Sequence, residues 1–374
     1  MIEKEKIIHF AVVLPADIIS IVLKPIKLKS VNGFLMNEIM KYTVGNTEQR
    51  EHYVDFIKAI AIVLVILGHI NSYNAPIKAW IYSFHMPVFF FATGLVLKNK
   101  KIDSKYLLSK VQRLIVPYFI WGLIYSGYSE KNLLKLIYGS YSTISSSGSL
   151  SSLWFLPTMF VSLILVQVLL KISNKFVPLV VISVVSFCIG VFLPKMTNGY
   201  PFCIDIAFII IPFILSGYFF NEEMHKNNSF LKRKLDNTAG YCLVTGVGFV
   251  LTLLFFKNPI CKESYVLLAK GNIGNPLIFF VTAFGGCLML YGMAKILSKI
   301  KLLNKPLSFI GSNTMTVFLV HKPIISVLTS IVQKYGFMQE IGLFFVCVGT
   351  LFLSLVICLL INQFAPFLVG KTKK

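Results

Sequence analysis

The chain predicts an all-α polytopic integral membrane protein, with about ten transmembrane helices in one bundle. Three observations predict it. Of the 374 residues, 56% are hydrophobic and 14% charged, where a soluble chain carries roughly a quarter charged residues. The mean hydropathy is +0.76. Apolar runs recur along the chain at roughly 54–73, 80–97, 113–128, 152–170, 176–194, 203–220, 239–256, 275–297, 307–331 and 340–362, each near the length that a bilayer core requires. In lipid the backbone must satisfy its own hydrogen bonds, so these runs are read as helices.

The first two runs, with the loop joining them, organise the rest. Asp55, Lys58 and His69 belong to the first, and His85 opens the second just before Met86 and Pro87. Ionisable side chains inside an apolar span are costly and mark functional sites. On a helix Lys58 and His69, eleven residues apart, lie close to three full turns from each other and share a face. Asp55 lies three residues before Lys58, near the same face. The short loop makes the first two spans antiparallel neighbours, which puts both imidazoles at similar depth. Histidine suits general-base work near neutral pH, and it can also accept an acyl group covalently. The residues leave both roles open.

Later spans add to this group. Arg113 begins the third span and, with Lys58, can hold the phosphates of a donor entering at the inner face. Trp154 and Phe155 open the fourth span as interface aromatics. His321 and Lys322 stand together near the middle of the ninth and are expected to face a polar cavity. Asp205 is read either as a partner for one of these cations or as an outer-interface residue, and Glu340 as interfacial. The hydroxyl-rich stretch within 129–151 reads first as a flexible connector and second as a segment lying over a site.

The net charge of +21 does not make this a nucleic-acid binder, because the Lys and Arg residues lie between apolar runs rather than on one soluble face. With the N-terminus inside, roughly three-quarters of the 36 Lys and Arg residues fall on the cytoplasmic side. Both termini are therefore expected in the cytoplasm, in a multi-pass protein of the cell membrane. The seven cysteines form no CxxC pair or zinc spacing, so no metal is expected. Residues 1–49 are read as a cytoplasmic or interfacial leader. Within it Ile7–Leu23 is apolar but broken by Pro15 and Asp17; an interfacial helix is the first reading and a non-native upstream start the second. Residues 50–365 form the membrane domain and 366–374 a basic cytoplasmic tail.

The motifs resemble those of the membrane acyltransferase-3 family. DFIKAIAIVLVILGH, with Lys58 and His69, is similar to its signature. SFHMPVFFFATG is similar to its second-span motif, with Thr93 where the family usually has Ser, and KVQRLIVPYFIWG carries Arg113 at its arginine position. LWFLPTMF at Trp154 and FIGSNTMTVFLVHKPI at His321 follow in the family's order. The tighter resemblance is to the fucose 4-O-acetylase-like branch, which acetylates sugars of exopolysaccharides and capsules. The resemblance implies acetyl-CoA as donor, a carbohydrate or lipid-linked sugar as acceptor, membrane lipid as surroundings, and His69 as the key catalytic residue. It also places Lys58 at a position usually held by Arg or Lys. The reading of the residues themselves adds His85 as a second catalytic residue, Lys58 and Arg113 toward the donor, and Asp55, Trp154, His321 and Lys322 toward the acceptor. The alternative class is a multi-pass transporter or flippase of sugars, against which stands the lack of an inverted repeat.

Overall fold

The structure, a computed structural model, describes residues 52–70, 75–145, 150–226, 229–336 and 339–371. The leader 1–49, with its interfacial-helix reading, lies outside the described residues, as do Lys373 and Lys374 of the tail and the side chain of Glu340. Among the described residues there is no β-strand, and eight helices are long and apolar enough to cross a membrane. The protein is a multi-pass membrane protein.

Helix α1 (His52–His69) is the central strut. It is apolar on nearly every side, and Phe56, Ile57, Ile62, Val65 and Ile66 are all fully buried. A helix that is apolar all round belongs in the interior. It contacts α3 (His85–Leu95), α14 (Pro276–Leu297), α15 (Lys301–Ser312), α16 (Thr314–Lys334) and α17 (Gln339–Phe364). The membrane stretch of α1 is 61% buried inside the protein, against 28% for the Ser104–Ser126, Thr238–Lys257 and Ile341–Phe364 stretches. The latter three therefore form the rim, with one flank toward lipid. The shorter Phe176–Phe192 helix also exposes Val177, Val181, Val184 and Phe192, a surface that suits acyl chains rather than water.

Three of the expected spans take a different form. The second is broken into α2 (Ala75–Tyr82) and α3, with a turn at Ser83–Phe84. Pro87 has no N–H to continue the helical ladder backward, so the chain restarts with the proline in its first turn. The third belongs to one longer run, α4 (Ser104–Lys110), a π-turn at Val111–Ile115, and α5 (Val116–Ser126). The widened turn falls just before Pro117, where a regular bond to the Arg113 carbonyl has no donor. The ninth is broken at Asn313 into α15 and α16, and the Asn313 side chain donates to the Phe309 carbonyl at 2.8 Å.

The stretch expected to be a connector is structured over its described residues, 129–145 and 150–151. It holds α6 (Glu130–Tyr138) and α7 (Tyr141–Ile144), then a 3₁₀ turn at Leu150–Ser152 leading into α8 (Phe155–Ile172). Serine caps explain both short helices: Ser129 and Ser140 accept from the backbone N–H groups of Asn132 and Thr143. The remaining long helices are α9 (Phe176–Phe192), α10 (Ile204–His225) and α12 (Thr238–Thr252), with short α11 (Phe230–Leu235) before α12 and α13 (Ile260–Glu263) after it.

Small residues set the closest approach of α3 to α10. A Cβ on Gly94 would stand 2.0 Å from the Ile214 carbonyl oxygen, and one on Gly217 would stand 2.2 Å from the Phe91 carbonyl oxygen. Such backbone-to-backbone packing is how helices associate in lipid, where hydrophobic burial gives little drive. Similarly, Gly311 of α15 lies against the Asp55 carbonyl of α1, 1.9 Å from its ideal Cβ position.

At the tail, Lys371 donates to the side-chain oxygens of Asn313 and Asn362, each at 2.9 Å. Trp121 Nε1 donates to the Leu368 carbonyl at 2.9 Å. The first residues of the basic tail are thus docked against the bundle.

Candidate active site

The site is built where α1, α2, α3 and α16 meet beneath the α7–α8 segment. A cavity of about 240 Å³ opens there, lined by His69, His85, Trp154 and Lys322. His69 is the last residue of α1, and His85 is the first of α3. The turn at Ser83–Phe84 brings His85 back toward the end of α1. The His321 ring stands edge-on to the His69 ring, with centroids 4.9 Å apart, and is itself fully buried. Three histidines from three helices thus converge.

All three rings are held in the same way. His69 Nδ1 lies 2.8 Å from the Val65 carbonyl oxygen, His85 Nδ1 2.9 Å from that of Ile81, and His321 Nδ1 2.7 Å from that of Phe318. A carbonyl only accepts, so each Nδ1 donates and carries the proton of the neutral ring. That assigns Nε2 of each ring as the lone-pair nitrogen, inferred from the hydrogen-bond pattern. For His69 and His85 this basic nitrogen belongs to a side chain that lines the cavity. The bond to the preceding turn fixes both tautomer and ring direction.

Aromatic and hydroxyl groups complete the walls. Tyr82 packs edge-on against His85 at 4.8 Å between centroids and lies 6.0 Å from the His69 ring. Tyr265, from the loop before α14, packs against Tyr82 with the rings tilted by 53° and centroids 4.4 Å apart. Tyr141, Ser151 and Ser152 also line the cavity, and Lys322 donates to Ser151 Oγ. The segment read as a connector is a wall of the site.

The expected inner-face group lies elsewhere. Lys58 pairs with the buried Asp55 at 3.6 Å, on the first turns of α1. By helix rise it stands about 16 Å from His69. Neither Lys58, Asp55 nor Arg113 lines the His69 cavity. Asp55 is thus positioned beside Lys58 and the α15 backbone, not beside the histidines. Arg113 is exposed on the π-turn, with its backbone beneath Gly370 of the docked tail. Asp205 lines a second, neighbouring cavity with Lys195 and Lys270. Among the described residues no cluster of three His, Cys, Asp or Glu side chains has metal-holding geometry.

Sequence reasoning missed Lys78, Tyr82, Tyr141 and Tyr265 as cavity residues. Lys78 Nζ lies 4.9 Å from the Tyr265 ring centroid and 5.9 Å from that of Tyr82. No periodic signal singles these residues out, because they sit on a short helix or on loops distant in sequence.

A family profile described as an acyltransferase domain matches residues 51–362. The chain belongs to the acyltransferase-3 family. The matched stretch runs from the start of α1 almost to the end of α17, so every helix contributing to the cavity lies inside the acyltransferase-3 domain. The nodulation protein NolL of Mesorhizobium japonicum is similar, with 26% identity over 184 residues, 44% of this chain and 49% of NolL. The chain therefore spans about half the length of the curated relative it matches. No solved structure matches the chain.

Proposed function

We propose that the protein is an integral membrane O-acyltransferase that moves an acetyl group from acetyl-CoA to a sugar hydroxyl of a cell-envelope polysaccharide, with His69 as the catalytic base or acyl acceptor. The observation that carries this reading is the His69 ring itself. Its Nδ1 is committed to the Val65 carbonyl, its flank is held by His321, and it lines a cavity with hydroxyl and aromatic walls. Membership of the acyltransferase-3 family supports the same chemistry.

In the direct route, His69 Nε2 takes the proton of the acceptor hydroxyl as its oxygen attacks the thioester carbonyl carbon. The carbon–sulfur bond then breaks, and the imidazolium returns the proton to the departing thiolate, leaving an ester and free CoA thiol. In the covalent route, Nε2 attacks first and the thiolate leaves. The acceptor hydroxyl then attacks the acyl carbon while His85 takes its proton, the carbon–Nε2 bond breaks to free His69, and His85 passes the proton to the thiolate. The fixed tautomer serves both routes. The distribution of basic residues supports cytoplasmic termini, with Lys58 and Arg113 on the side of the donor's phosphates and His69 toward the outer side. The separation of about 16 Å along α1 is of the order that a pantetheine arm spans.

The test is transfer of labelled acetyl from acetyl-CoA into glycan by membranes carrying the protein. His69→Ala should lower transfer by about 10²–10⁴-fold, the usual contribution of a positioned base. Undiminished transfer in both His69→Ala and Lys58→Ala would overturn the reading, and passage of unmodified glycan without acetate would indicate transport instead.

A further inference from the structure

The outer cavity has a charge character that the acyl-transfer chemistry does not require. Among the described residues its lining includes Lys78 and Lys322 but no Asp or Glu. Lys78 sits over the rings of Tyr265 and Tyr82. Lys322 donates to Ser151 Oγ, which aims its ammonium at the wall formed by the segment before α8. Two cations in a partly enclosed apolar site focus a positive field on whatever enters.

A second cavity, about 190 Å³, shares Tyr141 and Ala269 with the first as a common wall. It brings in Lys195 and Lys270, with Asp205 as its only acidic lining residue among the described residues. Lys270 Nζ lies 5.8 Å from the Tyr141 ring centroid, on that common wall. At about 240 and 190 Å³, each cavity is smaller than a typical ligand cleft of roughly 300–1,000 Å³. Their combined volume falls within that range, along a line that leads from His69 past the shared Tyr141–Ala269 wall. Ring faces of Tyr82, Trp154 and Tyr141 along it offer flat apolar surface beside polar groups, which suits the faces of pyranose rings.

We propose that the acceptor is an anionic glycan of at least two sugar residues, its reacting sugar at His69 between Lys78 and Lys322 and its neighbour in the Lys195–Lys270 cavity. This rests on the acyltransferase reading above and narrows its substrate. The recognised chemistry is a carboxylate or phosphate close to the acylated hydroxyl, paired to an ammonium by charge-assisted hydrogen bonds.

The experiment uses the full chain in lipid nanodiscs with labelled acetyl-CoA. The acceptors are matched mono- and disaccharides, in neutral, uronate and phosphate-bearing forms. The wild type should prefer one charged form to the neutral one, and which form it prefers separates carboxylate from phosphate recognition. Raising salt from low to high should increase KM for the charged acceptor and leave the neutral one nearly unmoved. Lys78→Gln should lower the charged-to-neutral ratio of kcat/KM by at least about tenfold, the worth of one charge-assisted bond. Lys270→Gln should lower that ratio for the disaccharide more than for the monosaccharide. Equal use of neutral and charged acceptors with no salt effect would overturn the proposal, while the acyltransferase reading stood. An increase in KM for acetyl-CoA alone in Lys78→Gln would assign the lysine to the donor and overturn it too. The salt series on the wild type decides the matter even if a variant does not fold. Absence of transfer to every acceptor, with no turnover of acetyl-CoA, would sink the underlying reading instead.

Discussion

Replacing Gly94 by Ala tests whether the cavity depends on the backbone contact between α3 and α10. The added methyl would sit 2.0 Å from the Ile214 carbonyl oxygen and 2.9 Å from the Tyr218 nitrogen. An ordinary carbon-to-oxygen approach is about 3.3 Å or more, so the helices must part by about 1.3 Å. The obstructing atoms are backbone, so no side chain can swing aside to relieve them. Overpacking of this kind costs about 1–3 kcal/mol, offset by roughly 1 kcal/mol from the better helix propensity of alanine. The net effect is destabilising. Its functional effect comes through His85, which begins the same helix nine residues earlier. A shift of about 1 Å at a reacting group can cost up to 10²-fold in rate.

The assay pairs thermal melting of the purified protein with acetyl transfer in nanodiscs. Gly94→Ala should melt several degrees lower and lose about tenfold or more of its transfer. Gly217→Ala probes the same gap from the other side, 2.2 Å from the Phe91 carbonyl oxygen. The double variant should cost less than the sum, because the first substitution already opens the gap. Gly246→Ala is the control: its methyl would meet nothing within 4 Å, so propensity alone acts and the protein should be unchanged or stabilised by up to about 1 kcal/mol. The reasoning fails if Gly94→Ala keeps wild-type melting and transfer, or if Gly246→Ala behaves as Gly94→Ala does.

Other expectations follow from single contacts. His321→Ala removes the ring that stands edge-on to His69 and should lower transfer about tenfold or more, whereas full recovery in His321→Phe would reduce its role to filling space. Lys58→Met removes the 3.6 Å ion pair between Lys58 and the carboxyl of Asp55, which is 2% exposed, and should destabilise by about 1–3 kcal/mol. Adding Asp55→Asn should restore part of that loss in a melting experiment. Trp121→Phe deletes the bond to the Leu368 carbonyl, worth about 1 kcal/mol, and should speed tryptic cleavage at Lys371; unchanged cleavage would show that the tail is held without it.

The parts of this fold that sequence reveals are those encoded over one helix length. The α1 run is apolar for most of its length, and its Lys58–His69 spacing is a property of one helix, so both follow from local pattern. The interruptions at Ser83–Phe84 and Asn313 do not change hydropathy, and a continuous span and a broken one look alike over a window of that length. Only Pro87 and the polar side chain of Asn313 mark them, and each is tolerated within a membrane helix elsewhere. The same limit hid half of the candidate site. His69, His85, Trp154 and Lys322 stood out because charged or aromatic groups in or beside an apolar run are conspicuous. Tyr141 and Tyr265 stand among other polar loop residues, where nothing distinguishes a cavity wall from a solvated turn.

The histidines add a point about how such a site is built in lipid. A polar ring in an apolar setting needs a partner, and the most dependable one is the carbonyl of the preceding turn of its own helix. His69 and His321 take that bond through Nδ1 within their own helices, and His85 takes the equivalent bond across the Ser83–Phe84 turn to Ile81 of α2, so each satisfies one nitrogen within its own span. The other nitrogen of His69 or His85 is then available to whatever enters the cavity. A histidine paired across helices through both nitrogens would hold the bundle together but would have no lone pair to offer a substrate. The arrangement here separates the two tasks: glycine contacts such as Gly94–Ile214 and Gly217–Phe91 bring the helices together, and the histidines keep a basic nitrogen for chemistry. It follows that substitutions in the packing contacts should alter stability and activity together, whereas His69 substitutions should alter activity with little change in melting.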